Sequence, residues 1–330
     1  MTDLHFVDAP NLEQMEPWSF AQTPNYAQAR PLEAIDADAI TEEEFHRRYV
    51  MQNRPCVLRG AVKHWPAVAK WGQPGYLKRR TVNAMMSART APIAQYIHAA
   101  HGAIREHLLK RFEDTHHPMP LHDFLDQAQS APSQLVLGSV DLSPDSPVGP
   151  LHEDLGDFPF MKTLSASRMY PTHRAFIYRH SYTDWHYHAT DEALMTQVVG
   201  TKEVLLLPPD QRTWDALWPV VCQTGYLFGV DQARFPAFGA IEPLRVIVGP
   251  GDALYIPTYW WHAVASIDNR FGVTVAATFK TPLHINGDLR FPATRRFIKR
   301  YWRTRRAPMI AAAVASALLR RAVGGWPRQV

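Results

Sequence analysis

His186 and His188 stand one residue apart in Thr183-Asp184-Trp185-His186-Tyr187-His188, and a third histidine, His262, closes a later stretch that runs from Gly249. Alternate residues of an extended strand face the same side, so His186 and His188 are expected to point together, with Asp184 in line. Two imidazoles on one face suit a divalent first-row metal such as iron, copper, nickel or zinc. The third ligand must come from elsewhere in the fold. His262 is well placed for this, because Gly251-Asp252 makes a turn and Tyr255-Ile256-Pro257 leads to a corner just before it. A carboxylate ligand could be Glu192, Asp184 or Asp191. An isolated His-x-His more often belongs to a surface or a core than to a metal site. The joint pattern of His186, His188, Glu192, Gly200, Gly251, Pro257 and His262 is what singles these residues out.

These residues need a rigid frame, and the surrounding sequence reads as strands. Ala175–Arg179, a strand bearing His186 to His188, Leu194–Gly200, Lys202–Pro209, Arg245–Val248, Ala253–Ile256, His262–Ser266 and Gly272–Phe279 are short apolar runs separated by turn residues. Their spacing predicts a mainly β fold, a double-stranded β-helix of the jelly-roll kind, with flanking helices. Thr41 followed by Glu44 predicts a capped helix over 40–50, with Phe45, Tyr49 and Val50 on its inner side. Helices are also expected over 105–112, 120–128 and 214–221. Residues 141–160, rich in Pro, Gly and Asp, read as a long loop, either a lid or plain surface. The expected organisation is an N-terminal arm over 1–35, a barrel domain with its N-terminal helices over 36–285, and a basic helical segment over 286–330.

Composition narrows the setting. Hydrophobic residues at 46% against 20% charged indicate a globular chain. The net charge of +4 is concentrated near the C-terminus, so no specific nucleic-acid partner is expected. Two distant cysteines, Cys56 and Cys222, exclude a disulfide framework and a thiolate metal site, and make the reducing cytoplasm the expected location. No apolar run reaches the ~20 residues that span a bilayer. Residues 295–321 are basic and then Ala-rich. They are expected to pack on the barrel or on a second copy in a homodimer; the other reading is an amphipathic segment on an anionic membrane surface or an acidic partner. The aromatic residues Tyr182, Trp185, Tyr187, Trp260 and Trp261 are either pocket walls or core.

The motif residues resemble the cupin superfamily. His186, His188, Glu192 and Gly200 follow its first motif, with one extra residue before the glycine and His180 where the motif opens with Gly. Gly251, Pro257 and His262 follow the second, with Tyr259 in place of a second Gly and Ser266 in place of Asn. Asn53–Gly60 with His64-Trp65-Pro66, Gln197–Lys202 through Gln211, and Val248–His262 are similar to the jumonji-type (JmjC) 2-oxoglutarate oxygenases, and within them to the factor-inhibiting asparaginyl hydroxylase branch. This resemblance implies Fe(II), or another divalent metal, held by His186 and His262, with 2-oxoglutarate as cosubstrate. It further implies that Lys202 pairs with the distal carboxylate of that acid and that Thr183 adds a hydrogen bond to it. The family has an acidic residue where this chain has His188, and a polar Asn where Ala276 or Ala277 stands. His188 is therefore expected as the third metal ligand and Glu192 as a fourth ligand or an orienting group.

Three functions follow as expectations. The first is a non-haem iron dioxygenase that hydroxylates a peptide, protein or small-molecule side chain. The second is a three-His or three-His-one-Glu cupin enzyme that does not use 2-oxoglutarate. The third is a non-catalytic cupin-like binding protein.

Overall fold

The computed structural model describes residues 19–90, 102–130, 134–162, 164, 170–189, 191–267, 270–279 and 291–302, together with 304, 307, 308, 311 and 315. Among them run fourteen strands: β1 (Arg30–Pro31), β2 (Ala34–Asp36), β3 (Cys56–Arg59), β4 (Met85–Arg89), β5 (His116–Pro120), β6 (Leu135–Asp141), β7 (His173–Arg179), β8 (Tyr182–His186), β9 (Glu192–Val199), β10 (Lys202–Leu207), β11 (Leu244–Val248), β12 (Ala253–Ile256), β13 (Trp261–Ser266) and β14 (Phe271–Phe279). The helices are α1 (Glu42–Phe45), α2 (Pro66–Lys70), α3 (Tyr76–Arg80), α4 (Gly102–Thr115), α5 (Leu121–Ser130), α6 (Gln211–Thr224) and α7 (Pro292–Tyr301).

The strands form two sheets. The smaller has the order β1-β11-β10-β13-β8, and the larger β2-β3-β12-β9-β14-β7-β6-β4-β5. Alternation decides which side chains meet between them. Val204 and Leu206 of β10, Val246 and Val248 of β11 and Val264 of β13 pack against Ala193 and Met195 of β9 and Leu254 and Ile256 of β12. The intervening residues face outward into two further layers. Leu205, Leu207, Trp261, Ala263 and Ala265 pack under Ala216, Leu217, Val220 and Val221 of α6. Leu194, Val198, Tyr255, Val273, Val275 and Ala277 pack under Phe45 of α1, Trp71, and Phe124 and Leu125 of α5. Strands buried on both faces read as continuous apolar runs, which is how they are written in the sequence. Each fully buried Val, Leu or Ile contributes roughly 1.5–3 kcal/mol to this arrangement. The mainly β, jelly-roll architecture expected from the strand spacing is the one observed.

The helix at 41–50 carries the capping box: Thr41 Oγ1 accepts the Glu44 N–H at 3.2 Å, and the Glu44 carboxylate takes the Thr41 N–H at 3.1 Å. It changes to a wider π turn at His46–Val50, and Phe45, Tyr49 and Val50 are fully buried. The described part of the N-terminal arm adds strands: β1 pairs parallel with β11, and β2 parallel with β3. Residues 141–160 are anchored to the core through Leu142, Val148, Leu151 and Phe158. Asp154 in this loop is buried and accepts from Trp71 Nε1 (2.9 Å), Tyr76 Oη (2.9 Å) and Lys70 Nζ (3.0 Å). Burial alone would raise its carboxyl, but those donors outweigh it and hold it below the usual range. At the other end, α7 packs on α6, with the Arg296 guanidinium 4.3 Å from the Trp218 ring and Arg295 donating to Gln211 Oε1 at 2.9 Å. Most of the basic and Ala-rich stretch beyond Tyr301, on which the dimer and membrane expectations rest, lies outside the described residues. No helix among the described residues is long and apolar enough to cross a membrane.

Candidate metal centre and anion site

The three histidines reach one point from two strands and the loop that follows the first of them. His186 ends β8, His262 is the second residue of β13, and the two face each other directly in the antiparallel ladder. The next pair in the ladder is Thr183 with Val264, so three residues of β8 oppose two of β13. This one-residue bulge puts Thr183 and His186 on the same inner face, which simple alternation would forbid. It turns Asp184 the other way, against the expectation that Asp184 lies in line with the histidines. Asp184 is buried beneath α6, accepting from the backbone N–H groups of Trp185 and Leu227, both at 2.8 Å. Burial pushes its carboxyl up to about 7.

His188 lies just past β8 and is fixed from the turn between β12 and β13. The Tyr259 N–H donates to the His188 carbonyl at 2.7 Å. Tyr259 has a φ of +67°, in the left-handed region that explains why the motif carries a glycine there; His180, at the other glycine position, has φ +47°. The turn holding Tyr259 is bound on both sides. The Asn53 side chain donates to the Thr258 carbonyl at 3.2 Å and accepts from Trp260 Nε1 at 3.0 Å. Glu192 accepts from Tyr255 Oη at 2.9 Å and the Thr258 N–H at 3.2 Å. Glu192 faces the outer layer with Leu194, so its carboxylate fastens the turn that carries His262 and does not join the three imidazoles.

The ligand nitrogens of His186, His188 and His262 all lie within 4.8 Å of one another. His186 Nδ1 is 2.8 Å from the Asp184 carbonyl and His262 Nδ1 is 3.0 Å from the Trp260 carbonyl. A ring nitrogen facing a carbonyl oxygen carries the proton, so Nε2 of each is left as the lone pair. Burial pushes His186 down to about 4 and His188 to about 3, and His262 well below its ordinary value. Three neutral imidazoles held this way fit a divalent first-row metal. Neither Asp184, Asp191 nor Glu192 is grouped with them.

Farther along the same inner face the chemistry reverses. Lys202 opens β10 opposite Ser266, four residue pairs from the Leu206–His262–His186 row, with Thr183 opposite Val264 midway between. That separation is roughly 13 Å along the strand. Lys202 is 6% exposed, and its Nζ lies 4.1 Å from the centre of the Tyr178 ring. No carboxylate among the described residues pairs with it. Burial, reinforced by the charge of Arg89, brings the ammonium down to about 7. Arg89 reaches this end from β4 across Val136, which pairs with Tyr178. It is 9% exposed, forms no ion pair among the described residues, and is itself brought down to about 10 by burial. The Tyr178 ring lies against Gly272, where a Cβ would stand 2.4 Å from it, and Gln197 Nε2 donates to Tyr178 Oη at 2.7 Å. Gln197 is in turn held by Thr274 Oγ1 at 2.7 Å.

The structure thus brings together His186, His188 and His262, and aligns Lys202 and Thr183 with them. Of the aromatic candidates, Tyr182, Trp185 and Trp261 belong to the core beneath α6, with Tyr187 packed against it, and Trp260 holds Asn53. Arg89, Tyr178 and Gly272 have no motif to mark them. The one available signal is the alternation Arg174-Ala175-Phe176-Ile177-Tyr178, which separates an inner face from an apolar outer one.

The profile of the cupin-like domain family matches residues 42–283, well over half of the chain. Among curated proteins, the chain is 27% identical over 261 residues to a bifunctional peptidase and (3S)-lysyl hydroxylase of Homo sapiens, covering 68% of this chain and 77% of that one. It is 22% identical over 258 residues to lysine-specific demethylase 8 of Xenopus tropicalis, covering 70% and 50%, and 25% identical over 263 residues to a lysine-specific demethylase of Arabidopsis thaliana, covering 70% and 52%. The chain therefore spans about half the length of the two demethylases.

Proposed function

Because the chain belongs to the cupin-like domain family, we propose that it is an Fe(II)- and 2-oxoglutarate-dependent oxygenase that hydroxylates a side chain of a peptide, protein or small molecule. The observation that carries this is the pairing of opposites on one inner face: three neutral imidazoles at one end, and four residue pairs away a buried Lys202 with no carboxylate partner among the described residues. A metal satisfies the first and an organic anion the second, and a dicarboxylate carries one acid group for each. His186, His188 and His262 would hold the metal. Lys202 would take the distal carboxylate, with Thr183 midway between and Arg89 adding a second positive charge. A buried carboxylate needs such a fixed cation, because an unpaired charge out of water is costly. Fe(II) and the 2-oxo acid, when bound, supply dioxygen activation coupled to decarboxylation. The chain's part is to keep the imidazoles unprotonated, hold the ammonium on the Tyr178 ring, and fix both ends through the bulge and the Pro257–Trp260 turn. The hydroxylase and demethylase names of the relatives support this chemistry and a peptide or protein substrate. The free thiols of Cys56 and Cys222 support a cytoplasmic site of action. Self-association through residues 286–330 belongs to the same proposal and is testable by sedimentation.

The all-imidazole ligand set also suits a cupin enzyme that makes no use of 2-oxoglutarate, so the test separates the two. Purified protein is supplied with Fe(II), 2-oxoglutarate and oxygen, and succinate is measured. We expect succinate formation that is lost in His262→Ala. Tight metal binding without any succinate points to the second enzyme class, and no metal binding points to a binding protein.

A further inference from the structure

Arg174 is a buried cation that the proposed oxygenase chemistry leaves unused. It stands on the inner face of β7, in the row of Phe176 and Tyr178, and its cross-strand partner is the small Ala276. It is 7% exposed. Its guanidinium stacks on the Tyr170 ring at 4.1 Å, and Nη1 donates to Ser139 Oγ at 3.0 Å. Nε is buried without a hydrogen-bond partner, and Nη2 donates to no described residue.

The support for this side chain is built into the backbone. Ser139 has a φ of +60° and lies in the irregularity that shifts the β6–β7 register between Leu137 and Val140. A non-glycine residue in that conformation is strained, and bulges of this kind re-aim side chains. Here the strained serine is aimed at the arginine. The charge of Arg174 is felt at His188, and the field of buried Asp191 acts on Arg174, with no ion pair between the two. At position 188 the family's acidic residue is replaced by a neutral imidazole. That leaves Asp191 as the acid whose field reaches the guanidinium, with no second carboxylate at position 188. A planar guanidinium with open donors is suited to bidentate recognition of a carboxylate.

We propose that Arg174, steadied by Ser139 and Tyr170, is a second carboxylate subsite on the His188 side, at the opposite end from Lys202. The proposal rests on the oxygenase function above. Its ligand is a carboxylate from one of two sources: the 2-oxo end of the cosubstrate, or an acidic group on the molecule that is oxidised.

The test uses full-length protein loaded with Zn(II), which binds imidazole and is redox-inert. Calorimetry follows 2-oxoglutarate first, then glutarate added to the 2-oxoglutarate-saturated protein. In Arg174→Met we expect at least a tenfold loss of affinity for one of the two. Loss for 2-oxoglutarate assigns the subsite to the cosubstrate; loss for the added glutarate assigns it to an acidic substrate. Arg174→Lys should recover part of the loss, and Ser139→Ala should show a smaller one, which keeps the test decisive if the Met variant is poorly folded. Unchanged affinity for both probes in folded variants overturns the proposal. If wild-type protein binds no 2-oxoglutarate, the oxygenase function is what fails. Glutarate binding to the Zn(II) protein, lost or kept in Arg174→Met, then decides the subsite on its own.

Discussion

At the histidine end of the inner face, burial strips protons from imidazoles and leaves lone pairs aimed at one another. At the lysine end, the same burial surrounds Lys202 and Arg89 and leaves two cations without a carboxylate partner among the described residues. Desolvation always disfavours the charged form, but the groups differ in what they can do about it. An imidazole becomes neutral easily and turns into a metal ligand. A guanidinium cannot lose its proton, and an ammonium does so only against a large intrinsic preference, so this end is the one that an anion from outside would complete. One end lacks a cation and the other an anion, and under the proposed function a chelating dicarboxylate on a metal ion would supply both.

The comparison breaks most sharply if the lysine end is removed. Lys202→Met should weaken 2-oxoglutarate binding about 100-fold, or roughly 2–3 kcal/mol, the scale of a hydrogen bond between charged groups. Metal affinity, measured separately by calorimetry, should stay near wild type. Equal losses of metal and 2-oxoglutarate would mean that the two ends are not distinct.

A pH series sharpens the same contrast. The folded protein holds Lys202 at about 7, against an ordinary value of 10.5. Between these values the unfolded chain binds a proton that the ligand-free folded state does not. Ligand-free stability should therefore rise with pH across that window. Affinity for 2-oxoglutarate should do the opposite and fall about tenfold per pH unit once pH passes 7, because binding must restore the proton. Arg89→Met, which removes a neighbouring positive charge, should weaken binding about tenfold at pH 6.5 and move the break to higher pH. Melting curves and calorimetry between pH 6 and 9 measure both trends, and a pH-independent affinity would contradict this account.

The frame of this arrangement is legible in the sequence, because strands buried on both faces must be written as apolar runs and helix caps as Thr41 with Glu44. The three histidines are legible because their spacing matches a known motif. What cannot be read locally is set by pairing between distant strands. The bulge that moves Thr183 beside His186 and sends Asp184 outward exists only against β13. The left-handed turn at Tyr259 falls on a residue with no preference for it, and is held by tertiary contacts. Arg89 sits in a stretch with no clear periodicity, and its place near Lys202 depends on β4 joining the far side of the larger sheet. Glu192 is buried where an acid is expected, but the parity of β9 points it outward.

The smallest predicted effect concerns that residue. Glu192→Gln keeps an acceptor for Tyr255 and the Thr258 N–H, so metal affinity should change by only about twofold, with some loss of thermal stability. A collapse of metal binding in folded protein would make Glu192 a fourth ligand after all.

The central claim, that one metal and one 2-oxo acid share this face, is tested most directly by anaerobic titration of the Fe(II) protein with 2-oxoglutarate, followed by visible absorption. The account predicts a charge-transfer band that saturates with one equivalent of the acid, is lost in His186→Ala, and needs far more acid in Lys202→Met. A wild-type protein that binds Fe(II) tightly and gives no band at saturating 2-oxoglutarate would contradict it.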